Sequence, residues 1–298
     1  MTLGFRTLVC MAASCAMVVG APLAGVAAVG QATPHFYQEV AWSPDGTQLS
    51  FTLNDGDHPN IYVMRADGTH LTKLTTAADN MWTSWSPDGK RITFMSNRDG
   101  NNDIYVMNAD GSAPARLTSG PGKNSHPSWS SDGRHIAFSS NRDGRWQVYL
   151  MNADGSAQTR LTTSEGNDEN PQFSPDGTRV VFYSDRNGAG KDQVYVVQSD
   201  GSREIRVSDG TANNIFASWL PDGRHVAFSS NRDDGDRQYL YVVDAANGSG
   251  LTRVSDAETF FARWSPRGDT IAYVAGHWPN SEIYAMRQDG SARVRLAK

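Results

Sequence analysis

Residues Trp85 to Thr118 read WSPDGKRITFMSNRDGNNDIYVMNADGSAPARLT, and three turn signals divide the stretch into four short runs. Pro87-Asp88-Gly89 pre-sets a bend, because proline fixes φ at the second turn position and glycine accepts φ > 0 at its end. Asn97-Arg98-Asp99-Gly100 and Ala109-Asp110-Gly111-Ser112 supply the other two turns. Between them, Arg91–Ser96 and Ile104–Met107 are rich in β-branched and aromatic residues. The pattern predicts an antiparallel meander of four strands, A to D, with A ending at Trp85-Ser86 and D near Arg116-Leu117-Thr118. One such sheet exposes two edges and two apolar faces and is not stable alone. It needs copies of itself.

The same corner recurs at Trp42-Ser-Pro-Asp-Gly46, Trp85–Gly89, Trp129-Ser-Ser-Asp-Gly133, Phe173-Ser-Pro-Asp-Gly177, Trp219-Leu-Pro-Asp-Gly223 and Trp264-Ser-Pro-Arg-Gly268. Successive aromatics stand 43, 44, 44, 46 and 45 residues apart. Four strands repeated every 40–45 residues or so are the mark of propeller blades. The chain is therefore expected to be all-β, a six-bladed β-propeller with four antiparallel strands per blade. The blades fall at about 36–76, 77–119, 120–163, 164–208, 209–255 and 256–298. Strand A of blade 1 opens the ring and strand D of blade 6 ends it, at Arg293-Val-Arg-Leu296. Closure is then expected to rest on face packing between blades 1 and 6, with Ala32–Tyr37 laid across the seam.

Residues 1–28 differ from the rest. Arg6 is their only charge, Thr7 to Ala28 are apolar or small, and Val26-Ala27-Ala28 offers a small-residue cleavage site. This reads as a secretory signal peptide, with residues 29–298 as the propeller and a periplasmic location, or secretion as the alternative. Both cysteines, Cys10 and Cys15, lie inside this leader, so the remaining chain has neither thiol nor disulfide. A net charge of −5 gives no nucleic-acid footprint. No later segment is apolar enough to span a membrane, and a monomer is expected.

Six internal copies separate what serves the blade from what is free. The strand-A aromatics, the strand-B series Phe51, Phe94, Phe138, Phe182, Phe228 and Tyr273, and the strand-C tyrosines read as interblade core. Arg98, Arg142, Arg186 and Arg232 occupy one place in the B–C turn. Each is expected to fork onto a carboxylate or carbonyl of the adjacent blade, the other reading being a ring for anionic ligands.

The strings W-S-P-D-G, S-N-R-D-G, I-Y-V-M-N-A-D-G-S and R-L-T together resemble the repeat of TolB-type propellers, periplasmic proteins of the Tol–Pal envelope system. The resemblance covers nearly all of the chain after the leader. It implies a protein-binding propeller of the cell envelope, although similar blades accompany peptidase domains. TolB carries an α/β domain before its propeller, whereas here the repeats begin at about Phe36.

The search for catalytic chemistry returns little. There is no G-x-S-x-G, no H-E-x-x-H, and no cysteine nucleophile after the leader. Asp99, Asn101 and Asp103 start like a calcium loop, but Ile104 replaces the glycine and no glutamate follows, so turn formation is the preferred reading. No cofactor is otherwise called for. The informative positions lie three residues before each strand-A aromatic: Glu39, Trp82, His126, Asn170, Phe216 and Phe261. Blade repetition makes neighbours alike, yet these six are unlike or bulky, and the strand order brings them to the axis beside the mouth formed by B–C turns and D–A loops. Apolar anchors among polar groups suit a protein or peptide partner of the envelope. The competing expectations are a plug that merely fills the channel, and a small-molecule or glycan site, with lyase chemistry by His126 and Glu39 or Glu169.

Overall fold

The computed structural model describes residues 36–56, 58–188, 190–276 and 280–297. The leader expected over residues 1–28, and the blade-6 turn at 277–279, lie outside the described residues. Six four-stranded sheets follow one another, each ordered A-B-C-D in sequence and antiparallel throughout. Blade 2 is representative, with strands Asn80–Trp85, Arg91–Ser96, Asp103–Asn108 and Ala115–Arg116. The other A strands are Phe36–Trp42, Asn124–Trp129, Asp168–Phe173, Asn214–Trp219 and Phe260–Trp264. No helix occurs among the described residues. The six-bladed propeller read from the repeat is the fold.

Blades adhere through apolar side chains of consecutive sheets. Ile61 and Val63 of blade 1 pack with Trp85, Ile92, Phe94, Tyr105 and Met107 of blade 2, and equivalent clusters recur around the ring. Burial of each such side chain contributes about 2–3 kcal/mol. The A–B corners add a second circular contact. A Cβ on Gly89, Gly133, Gly223 or Gly268 would meet the corner proline of the preceding blade at 3.2–3.9 Å, and Gly46 meets Pro266 in the same way at 3.5 Å. Glycine is favoured there by φ between 64° and 79°, and at Gly133 by the close 3.2 Å approach as well.

The Gly46–Pro266 contact already shows how the ring closes. Among the described residues, no sheet borrows a strand from the other end of the chain. Ser281 Oγ accepts the Tyr37 N–H at 2.9 Å and donates to the Tyr37 carbonyl at 2.8 Å, while Trp42 Nε1 donates to the Arg263 carbonyl at 3.0 Å. Tyr37, Val40, Leu49 and Phe51 form one core with Ala272 and Ile283. Of the segment expected across the seam, Phe36 and Tyr37 belong to strand A of blade 1.

The B–C turn arginines brace the fold, but within their own blades, which corrects the interblade expectation. Arg98 donates through Nε to Ser96 Oγ and through Nη2 to Asn80 Oδ1, both at 3.0 Å. Arg142, Arg186 and Arg232 repeat the pattern with Asn124, Asp168 and Asn214, the first residues of their strands A. Each guanidinium lies 4.1–4.8 Å over the strand-C tyrosine of its own sheet, and that stacking turns the fork back toward strand A rather than outward. Two arginines that head strand B do cross between blades. Arg91 covers Trp129 at 4.7 Å, and Arg179 covers Trp219 at 4.5 Å and donates to the Gly223 carbonyl at 2.6 Å.

Candidate functional site: the axial channel

Every strand A carries a β-bulge at the same place. In blade 6, Phe260 pairs with Val274 and Arg263 with Ala272, so Phe261 and Ala262 together oppose Tyr273 alone. The shift recurs in all six blades. The first bulged residue is Glu39, Trp82, His126, Asn170, Phe216 or Phe261, each with φ between 31° and 64°. A left-handed backbone costs a non-glycine residue roughly 1–2 kcal/mol, and a bulge re-aims the side chain it carries. Repeating that cost six times is possible because the sheet pairing on both sides fixes the chain.

The result is a closed layer across the axis. The Trp82 ring stands 4.1 Å from His126 and 5.6 Å from Phe261, Phe261 stands 3.8 Å from Phe216, and Phe216 meets Tyr183 at 6.0 Å. The six residues are only 2–7% exposed. The six positions singled out in the sequence are the six that carry the bulge; their burial and the bulge that places them had no sequence signal, since nothing in the strand-A residues distinguishes a bulge from a regular strand.

Half of this layer is polar and incompletely satisfied. Glu39 Oε1 accepts from Thr52 Oγ1 at 2.5 Å and from the N–H groups of Trp82 and Thr83 at 2.9 and 3.3 Å, while Oε2 has no protein partner. Burial pushes the Glu39 carboxyl up to about 8, against the pull of those hydrogen bonds and of Arg263. His126 Nδ1 shares a 2.9 Å hydrogen bond with Ser125 Oγ, and Nε2 is unpartnered. Burial, helped by the Arg263 charge, lowers the imidazole to about 3 and keeps it neutral. The Asn170 N–H donates to Ser139 Oγ at 3.1 Å, and its Oδ1 is likewise unpartnered. Glu39 and His126 both end in unpartnered atoms, so they are not bonded to each other as a lyase pair would be.

An open cavity of about 440 Å³ lies on the axis at the end where strands A finish. Residues of five blades line it, among them Pro44, Trp129, Phe173, Trp219, Arg263 and Trp264. It opens between the A–B corners, at the end of the disc opposite to the B–C turns and D–A loops, which corrects the expected position of the mouth. The bulged residues are buried in a packed layer, and the recess forms beyond it where strands A end. Arg263 links cavity and layer: it lines the cavity, stands two residues from Phe261, and its charge acts on both Glu39 and His126. Burial lowers the Arg263 guanidinium to about 10, opposed by Glu39. Sequence reasoning missed Arg263 and its neighbour in the cavity, Gln172, although the comparison of internal copies that found the bulged six would have found them two residues later.

The calcium-loop candidates are engaged by protein donors, and Arg116 reaches both carboxylates. Asp99 Oδ2 accepts from the Tyr105 hydroxyl at 2.5 Å, and Asn101 Nδ2 donates to the Gly122 carbonyl at 2.7 Å. Asp103 is buried and accepts from Arg116 at 2.5 Å, Thr118 at 2.7 Å and Asn124 at 2.9 Å. Among the described residues, no group of three or more His, Cys, Asp or Glu side chains is placed to hold a metal ion.

The sequence matches the family model of the TolB beta propeller domain in three overlapping segments, residues 29–124, 117–207 and 189–298. No curated protein matches. Among solved structures, TolB from Acinetobacter baumannii is 22% identical with a TM-score of 0.70, over 88% of this chain but 63% of that one. A putative TolB from Agrobacterium tumefaciens is 28% identical with a TM-score of 0.69, over 86% of this chain and 91% of that one. An oligogalacturonate lyase from Vibrio parahaemolyticus shares the fold at 14% identity and a TM-score of 0.62, over 89% and 77% of the two chains. With every blade inside a matched segment, the chain belongs to the TolB β-propeller domain family.

Proposed function

We propose that the chain is an exported, non-catalytic propeller that binds a protein or peptide partner of the cell envelope through the axial mouth of the ring. The observation that carries this reading is the axial cavity, walled by aromatic side chains from the ends of strands A, with Arg263 joining it to the bulged layer two residues away. An apolar recess with a few polar groups at its base is what partner anchors require. The family and the TolB structures support a binding role for the fold.

The experiment is capture from periplasmic extract, followed by titration of the captured partner against wild type and Trp82→Ala. Truncation is expected to cost about 2 kcal/mol or more of binding. Trp82 also packs against His126 and Phe261, so stability falls as well, by about 3–5 kcal/mol. Affinity is therefore measured well below the melting transition, with circular dichroism alongside. Intact affinity with a sharp drop in melting temperature would show that the layer only plugs the channel. Export carries its own test: protein from the native host should begin near Val29, and a chain retaining Met1 or bearing lipid on Cys15 would sink the periplasmic reading.

A further inference from the structure

The residue just before each strand-A aromatic is Ala41, Ser84, Ser128, Gln172, Ser218 or Arg263. The three serines lace consecutive blades. Ser84 Oγ accepts the Trp129 N–H at 3.2 Å, Ser128 Oγ accepts the Phe173 N–H at 3.3 Å, and Ser218 Oγ donates to the Ala262 carbonyl at 2.9 Å. Gln172 and Arg263 depart from that pattern in the blades on either side of Ser218, and both line the axial cavity. Arg263 spends one N–H on the Ala262 carbonyl at 3.0 Å. Among the described residues it has no other hydrogen bond and no ion pair, and the Gln172 side-chain amide has no hydrogen bond. A guanidinium has five donors in a rigid fork. Four of these, with the amide N–H₂, are left at the base of a recess whose walls include Trp129, Trp219 and Trp264.

We propose that this recess binds a single carboxylate carried by the peptide or protein partner, with the Arg263 fork and the Gln172 amide on the carboxylate and the tryptophans on the apolar group attached to it. The inference rests on the partner reading above and gives that partner its chemistry. One guanidinium and a planar fork match a planar monoanion. A phosphate dianion would find one cation among the described lining residues, with the Glu39 carboxyl behind it. The carboxylate is either a chain terminus or an Asp or Glu side chain, and both present the same two oxygens.

The probes are N-acetyl-L-phenylalanine, its amide, and N-acetyl-L-aspartate α-amide, titrated into the full chain while the indole N–H signals are followed by NMR. At least one acid is expected to bind about tenfold or more tighter than the amide, the gain of a charged hydrogen-bonded pair. The stronger of the two acids identifies the source. Arg263→Gln should abolish the preference, and Arg263→Lys, which keeps the charge but not the fork, should retain part of it. Melting curves of both variants exclude unfolding. The proposal is overturned if acid and amide bind alike, if neither gives a saturable shift, or if Arg263→Gln keeps the preference. A captured partner that binds Arg263→Gln as tightly as wild type would overturn the carboxylate subsite while leaving the partner reading intact. Acid-selective probe binding without any capturable partner would do the reverse.

Discussion

Glu39→Gln is expected to make the protein more stable at pH 9 while leaving it little changed at pH 5. In the unfolded chain this carboxyl loses its proton near 4.5, whereas in the folded layer burial holds the proton until about pH 8. Between those two values the folded state binds the extra proton, so stability falls as pH rises through the window and the full cost is present above it. A shift of that size at about 1.4 kcal/mol per unit gives an upper figure of about 5 kcal/mol. Glutamine removes the titration and keeps an oxygen for Thr52 and for the Trp82 and Thr83 N–H groups. His126 works in the opposite direction. Below pH 6.5 the unfolded imidazole takes up a proton that the folded one refuses until about pH 3, so acid also favours unfolding. Urea melts of wild type, Glu39→Gln and His126→Gln at pH 4, 7 and 9 measure both limbs. A Glu39→Gln protein less stable than wild type at pH 9 would mean that Glu39 is ionised and holds Arg263 as its partner, and the account would fail.

The blade was legible in the sequence because its signals are local and repeated. Pro-Asp-Gly corners, short β-branched runs and the spacing of strand-A aromatics specify a meander, and a lone meander must stack on copies. The arginines show where such reading stops. Their position in the turn was plain, but whether the guanidinium reaches forward to the next blade or back to its own depends on the ring it stacks over, a packing choice that the turn sequence does not encode. The axial layer shows a second limit. Comparing internal copies isolated Glu39, Trp82, His126, Asn170, Phe216 and Phe261, yet the bulge that turns them into the channel is a property of strand pairing, and so is their burial. The cavity lies beyond both, since it depends on how five A–B corners converge around the axis.

The four bracing arginines, alike in position, are expected to differ in their worth because blade 4 changes the partner. In blades 2, 3 and 5 strand A begins with an asparagine, whereas in blade 4 it begins with Asp168, which is fully buried. Asp168 Oδ1 accepts from Arg186 at 3.1 Å and from Ser164 Oγ at 2.8 Å, and Oδ2 has no partner. Among the four bracing arginines, Arg186 alone is thus paired with a buried carboxylate, and it is held in turn by Ser184, Glu204 and the face of Tyr195. Arg186→Ala leaves that carboxylate buried without compensation, at a cost of about 3–5 kcal/mol. Arg98→Ala leaves the neutral amide of Asn80 short of one hydrogen bond, at about 1–2 kcal/mol. Adding Asp168→Asn to Arg186→Ala restores the side chain of the sister blades and should recover most of the difference, a coupling that a double-mutant cycle reads directly. Urea denaturation of wild type, Arg98→Ala, Arg186→Ala, Asp168→Asn and the double variant tests this. Equal costs at Arg98 and Arg186, or no recovery in the double variant, would mean that the buried carboxylate is neutralised in some other way.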